Sequence, residues 1–386
     1  ISNVHLEKNR DHKIYYVVSF EKGGFVIVSA NDISVPIIGF SFDSQYAPNN
    51  LPPAFDFFIR ERAIFQISSA IDNGISQSRE IRQEWKRLLN ESNFTRSEFD
   101  LRTGFLTTIW GQGEYYNEQC PADTNSGDGH VRVGCVAVAM AQVINYYENP
   151  WVGSGSHSYN HSTYGEQEAD FESTTYNYDN MPDEVTASNI DVATLMYHCG
   201  VAVNMDYGVG GSGAWGWGDH AVSNGLEDHF YFDNNAHHIV RSSHLPTWED
   251  RMKNNLDENR PVIYGAEDNQ EDVGHAWVLD GYSGHYFHCN WGWYGNHDGY
   301  FHIDDFSPGG YDFDSYEHAA VSLYPEIGHL NTTWSPADNP HYIYYDQIID
   351  EGDVLNIESG VNLIFKGRYK ITVNGELNIT GVYGDS

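Results

Sequence analysis

A chain of 386 residues exceeds what one ordinary hydrophobic core supports, so two or three folded units are expected. Its 40% hydrophobic and 15% aromatic content excludes wholesale disorder, and no run of about 18 apolar residues is present to insert into a membrane. The 55 acidic and 20 basic side chains give a net charge of −35, a surface that repels nucleic acid and anionic lipid.

In chain order, "KIYYVVSFEKGGFVIVSANDISVPIIGFS" reads as three strands with a turn at Gly23 and Gly24. "LPPAFDFFIRERAIFQISSAI" follows, with Pro52 and Pro53 marking a helix start and Phe57, Phe58, Ile64, Phe65 and Ile67 forming an apolar face. "SQSREIRQEWKRLLN" is a second helix, and the polar "NESNFTRSEFD" reads as a linker. Residues 1–103 are therefore expected to form an α+β module, an antiparallel sheet backed by helices.

Residues 104–326 read as the largest unit, with helices first and strands later, the order of an α+β fold. An apolar helix is expected from Cys135 to about Tyr147, then helices at "DVATLMYHCGVAV" and "HAVSNGLEDHF". Strand-like runs follow: "PVIYGAE", "HAWVLDGY", "YFHCNW", "GYFHI" and "AAVSLYP". Residues 327–386 alternate apolar and polar positions between glycines, which predicts a small β-rich region of short strands, compatible with one or two coils of a solenoid.

Cys120, Cys135, Cys199 and Cys289 contain no C-x-x-C pair and are too sparse for a disulfide framework. Cys135 follows Gly134 and opens the apolar helix. There the unpaired N–H groups and the helix dipole favour thiolate, lower the thiol pKa and offer an oxyanion site. A buried inert cysteine would be the commoner reading of such a position. His275, in "VGHAWVLDGY", supplies the partner that changes it, because cysteine catalysis needs an imidazole to move the thiol proton. It lies 140 residues beyond Cys135, within the span of about 130–150 residues that separates the pair in papain-like enzymes.

Asn290 of "FHCNWGWYGNHDGYF" is a candidate for orienting that imidazole, with Trp291 or Trp293 shielding it from water. Gln112, on the Gly-flanked loop "TTIWGQGEYYNEQCP", is a candidate side-chain donor to an oxyanion, although an ordinary surface glutamine is equally compatible. His237, His238 and the acidic "DNQED" lack metal-ligand spacing, so neither a metal nor another cofactor is expected.

Five segments occur together in order: "WGQGEYYNEQCP", "VGCVAVAMAQVINYYENP", "VNMDYGVGGSGA", "VGHAWVLDGY" and "CNWGWYGNHDGYF". With "YYVVSFEKGGFVIVSANDISVPIIGFS" before them, the chain resembles the streptopain family of papain-like cysteine peptidases over roughly residues 10–325. The resemblance implies a zymogen: an inhibitory propeptide (1–103), a papain-like catalytic domain (104–326) and a C-terminal β-rich domain (327–386). It implies a secreted endopeptidase whose partners are protein or peptide substrates and its own propeptide in cis. The Cys135–His275 dyad, the Asn290–Trp291 pair and Gln112 would carry the chemistry. Gly213, Ala214, Val273 and Gly274 would line the substrate cleft, with a bulky apolar residue preferred at P2. The cleft loop diverges from the family pattern after Ala214, and the papain signature around the nucleophile is absent at Cys135, so the chain is not of the papain subgroup. A Cys–His amidase or transglutaminase, and a non-catalytic surface-binding protein, are the alternatives. The zymogen reading further implies a blocked cleft or a displaced His275.

Overall fold

The computed structural model describes residues 1–90, 101–214, 221–268, 273–304 and 315–381. Strands β1 (Asn3–Asn9), β2 (His12–Ser19), β3 (Phe25–Ser29) and β4 (Ile37–Ser41) form an antiparallel meander. The three expected strands are present. The additional β1, "NVHLEKN", is a largely exposed edge strand, so its sequence lacks the apolar alternation that announces a buried one.

The helix predicted after Pro52 is not one regular α-helix. It comprises α1 (Pro53–Phe55), a π-helical stretch Asp56–Glu61 and α2 (Arg62–Asp72). A π stretch holds more residues per turn than an α-helix and rotates everything beyond it. Phe57, Phe58 and Ile67 are buried as expected, but Phe65 is 43% exposed and Arg62 takes an inward position. Helix α3 (Arg79–Asn90) follows, and the expected linker falls largely at 91–100, outside the described residues.

The chain continues through β5 (Leu101–Arg102), α4 (Cys135–Tyr147), the hairpin β6 (Ser156–His161) and β7 (Gly165–Asp170), α5 (Ile190–Ala202) and α6 (Val222–Phe230). Next come β8 (His237–Val240), α7 (Trp248–Asp257), β9 (Val262–Asp268), β10 (Val273–Ser283), β11 (Tyr286–Asn290), β12 (Gly299–His302) and β13 (Ser315–Val321). The hairpin is polar throughout, and α7 buries only Trp248, Met252 and Leu256. Neither pattern is strong enough to be read from sequence.

One sheet runs in the order β1-β2-β3-β4-β12-β11-β10-β9-β13-β8, with β5 on β10. The N-terminal meander joins the later strands through β4 and β12, where Phe40 faces Tyr300 and Gly39 faces Phe301. The core beneath is shared: Phe25, Phe55 and Phe58 pack in one cluster with Tyr264, Trp277, Trp291 and Phe301. This is the α+β architecture expected.

Strands β14 (Gly328–His329), β15 (Thr332–Trp334), β16 (His341–Ile343), β17 (Gln347–Ile349), β18 (Val354–Ile357), β19 (Leu363–Phe365), β20 (Ile371–Val373) and β21 (Glu376–Ile379) complete the fold. They stack as parallel ladders β14-β17-β20, β15-β18-β21 and β16-β19, Thr332 facing Leu355 and Leu355 facing Leu377. The glycine-punctuated region is a short parallel solenoid.

The chain divides into two compact units that do not follow its order. The first comprises Ile1–Glu114, Gly134–Ala139 and His238–Val321, the second Tyr115–Val133, Met140–His237 and Ser322–Ser386. Within the second, the solenoid is anchored by Arg368, whose guanidinium lies 4.8 Å over the Trp151 ring and pairs with Asp179.

Candidate active site

Gly134 adopts φ +95, a left-handed conformation that turns the chain sharply into α4 and leaves Cys135 as its first residue. All four cysteines are free; Cys120, Cys199 and Cys289 are buried, and Cys135 is half-buried. The Cys135 Sγ accepts a hydrogen bond from the Ala276 N–H at 3.4 Å, which puts the thiol against β10. The Cys135 thiol pKa is nonetheless raised, not lowered. Burial is the larger influence, and the N–H groups of Ala276, Val136 and Cys135 only oppose it. The expected helix-terminus activation is thus present as geometry but outweighed by desolvation.

His275 precedes Ala276 on β10, opposite Ala266 of β9. Its imidazole is half-buried, and Phe57 of the π stretch lies against it with ring centroids 5.8 Å apart. Burial lowers the His275 pKa to about 4, with the Asp56 carboxylate pulling the other way. Among the described residues the ring makes no hydrogen bond. The raised thiol pKa and the lowered imidazole pKa both favour the uncharged forms of Cys135 and His275.

Asn290 closes β11 and is buried. Its Nδ2 donates to Thr108 O at 2.7 Å and its Oδ1 accepts from the Gly292 N–H at 3.1 Å. In this state the amide ties the 104–113 segment to the turn after β11. Trp291 is buried, donates from Nε1 to His297 O at 3.0 Å, and meets Trp277 with centroids 5.2 Å apart.

Gln112 is half-buried on a loop of the same unit. Gly274 is exposed beside His275, and Val273 begins β10, its side chain lying outside the described residues. Gly213 and Ala214 belong to the second unit, where Gly213 bridges Asp206 through a reciprocal hydrogen-bond pair of 2.7 and 3.1 Å.

The N-terminal module supplies a cover that sequence reasoning did not locate. Phe55 packs edge-on against Trp291 at 5.8 Å, and Phe58 lies 4.8 Å from Trp277. Arg62, 1% exposed, places Nη2 3.4 Å from Glu317 Oε1 and donates from Nη1 to Ile303 O at 3.3 Å. His297 accepts from the Ala47 N–H at 3.0 Å. The aromatic run "FDFFIRER" is the available signal, but it is indistinguishable from the module's own helix core. Among the described residues no His, Cys, Asp or Glu grouping is suited to hold a metal, and no helix is long and apolar enough to cross a membrane.

The model of the Peptidase C10 family matches residues 110–301, and that of the Spi protease inhibitor matches residues 1–63. Streptopain of Streptococcus pyogenes serotype M28 is 28% identical over 340 residues, 80% of each chain. The thiol protease/hemagglutinin PrtT of Porphyromonas gingivalis is 29% identical over 330 residues, 79% of this chain and 36% of that protein. A solved fragment of Prevotella intermedia prointerpain A, a cysteine-to-alanine variant, superposes with a TM-score of 0.66 at 31% identity, covering 84% of this chain and all of that one.

Proposed function

Since the chain belongs to the peptidase C10 family of cysteine peptidases and carries a propeptide inhibitor domain, we propose that it is a secreted endopeptidase zymogen with Cys135 as nucleophile and His275 as base. The observation that carries this reading is the Ala276 N–H to Cys135 Sγ hydrogen bond of 3.4 Å. It sets the half-buried thiol, at a helix N-terminus, beside the strand that bears His275.

Once uncovered, the chemistry is acyl transfer. His275 takes the Cys135 proton, the sulfur attacks the peptide carbonyl carbon, and the imidazolium protonates the leaving amine. Water, deprotonated by His275, then releases the acyl group and regenerates the thiol. The Cys135 N–H and the Gln112 amide would hold the oxyanion. Asn290 and Trp291 would orient and dry the imidazole, and Val273 and Gly274 would line a cleft that prefers a bulky apolar P2 residue. We assign residues 1–103 as propeptide, 104–326 as catalytic domain and 327–386 as a β-rich C-terminal domain.

Latency follows from the same geometry. Phe57 against His275 and Phe55 against Trp291 keep both groups desolvated, and an imidazole with a pKa of about 4 is a poor acceptor for a thiol proton at neutral pH. The test is casein hydrolysis by the processed, reduced protein. Cleavage abolished by Cys135→Ala and by an epoxide thiol inhibitor is expected; processed protein without thiol-dependent hydrolysis would overturn the reading.

A further inference from the structure

The loop that carries Gln112 takes its shape from a neighbour. Tyr294, four residues beyond Asn290, contacts it at three points. Its N–H donates to Trp110 O at 3.1 Å, and its hydroxyl accepts from the Gly113 N–H at 2.9 Å. Its ring fills the space beside Gly111, where a Cβ would meet Tyr294 Cε1 at 2.4 Å. The two hydrogen bonds thus bracket residues 111 and 112, and only a glycine fits under the ring.

Tyr294 is also held in an unfavourable backbone state. Its φ is +57, in the left-handed region that bulky residues avoid. Such strain persists where surrounding structure over-determines it, and it gathers at functional sites. A glycine would adopt this conformation without strain, so the tyrosine is explained by what its side chain does. The residue is 37% exposed, so core packing does not account for it.

We propose that Tyr294 is a positioning residue for the Gln112 amide, clamping residues 110–113 so that the side-chain donor is preset for the oxyanion. This rests on the reading of Gln112 as an oxyanion donor. Preorganised donors act because they need no reorganisation when charge develops, so a clamp on the donor's loop should appear in kcat more than in KM.

The test is a double-mutant cycle on the processed enzyme, with kcat, KM and thermal unfolding measured for each variant. Tyr294→Phe deletes only the hydroxyl contact and is expected to lower kcat about tenfold with KM within about twofold. Tyr294→Gly relieves the backbone strain yet is expected to lower kcat further, toward the roughly hundredfold loss anticipated for Gln112→Ala. In the Gln112→Ala background Tyr294→Phe is expected to change kcat by less than about twofold. Equal kcat losses from Tyr294→Phe in both backgrounds, or a loss confined to KM or to stability, would overturn the clamp. An unchanged kcat for Gln112→Ala would instead remove the oxyanion reading itself. An impaired Gln112→Ala with a silent Tyr294→Phe rejects the clamp alone.

Discussion

The Phe57 ring lies against the His275 imidazole with centroids 5.8 Å apart and planes inclined by 56°. One residue of the propeptide therefore packs on the imidazole proposed to accept the thiol proton. Truncating a buried phenylalanine commonly costs about 3–5 kcal/mol, and this one is 6% exposed. Phe57→Ala should weaken the covered state by about 3 kcal/mol and raise the uncovered fraction roughly a hundredfold. Alkylation of Cys135 in the unprocessed chain should accelerate accordingly. Equal rates for the two proteins would mean that Phe57 does not control access.

Arg62 joins the propeptide to the catalytic strands from inside the core. Its guanidinium meets Glu317, which is 3% exposed and also accepts from Arg241 Nη1 at 2.9 Å, and it lies 4.8 Å from the Phe58 ring. Removing one partner of a buried ion pair leaves a charge under-compensated and costs on the order of 3–5 kcal/mol. Arg241 remains as a counter-ion, so Arg62→Ala should fall at the low end of that range and lower the melting temperature of the unprocessed chain by several degrees. Arg62→Ala and Glu317→Gln together should destabilise less than the sum of the singles. Strict additivity would show that the pair is not energetically coupled.

The catalytic part of the fold was legible wherever one strong pattern ruled a segment. The helix opening at Cys135 is apolar on nearly every face, and β9 through β12 are apolar runs bounded by turn residues. The edge strand β1 has no buried residue, and the inward positions of the β6–β7 hairpin are held by His161, Gln167 and Ala169, so neither shows an apolar alternation in sequence. The π stretch was hidden for a different reason: an inserted residue shifts the register without altering composition, so Phe65 falls on the expected apolar face although it is exposed, and the buried Arg62 does not. The candidate site rests on residue types and spacing. The direction of the Cys135 thiol shift was not legible, because desolvation by packing exceeds the helix-terminus effect and cannot be read from neighbours in sequence.

Asn290 offers a further test, because its amide is committed elsewhere in the zymogen. It donates to Thr108 O at 2.7 Å and accepts from the Gly292 N–H at 3.1 Å. Asn290→Ala removes both bonds from a buried position, with an expected cost of about 2–3 kcal/mol in thermal unfolding. If the same residue also orients His275 in the processed enzyme, kcat should fall at least about tenfold under conditions where the variant is fully folded. A stability loss with unchanged kcat would confine Asn290 to holding Thr108 and the turn at Gly292.

Acid should loosen the propeptide through His297. The ring is fully buried under Tyr46 and Phe55, with centroids at 5.3 and 5.1 Å, and its Nε2 accepts from the Ala47 N–H. Burial lowers its pKa to about 4. A base whose folded pKa is depressed resists protonation, so its contribution is intact above the ordinary histidine value of about 6.5 and is lost as pH falls toward 4, by about 1.4 kcal/mol per pH unit. His275, also lowered to about 4, adds in the same direction. Asp298 beside it opposes, since burial raises that carboxyl to about 7 and its protonated form is favoured by acid. Tyr46, itself raised by burial, stays neutral throughout. The difference between the wild type and His297→Gln isolates the histidine, because a glutamine oxygen can still accept from Ala47 but does not titrate. Hydrogen-exchange protection of the Ala47 amide, corrected for intrinsic rates, should fall between pH 7 and pH 5 in the wild type and fall markedly less in the variant. Parallel loss in both would place the acid sensitivity elsewhere.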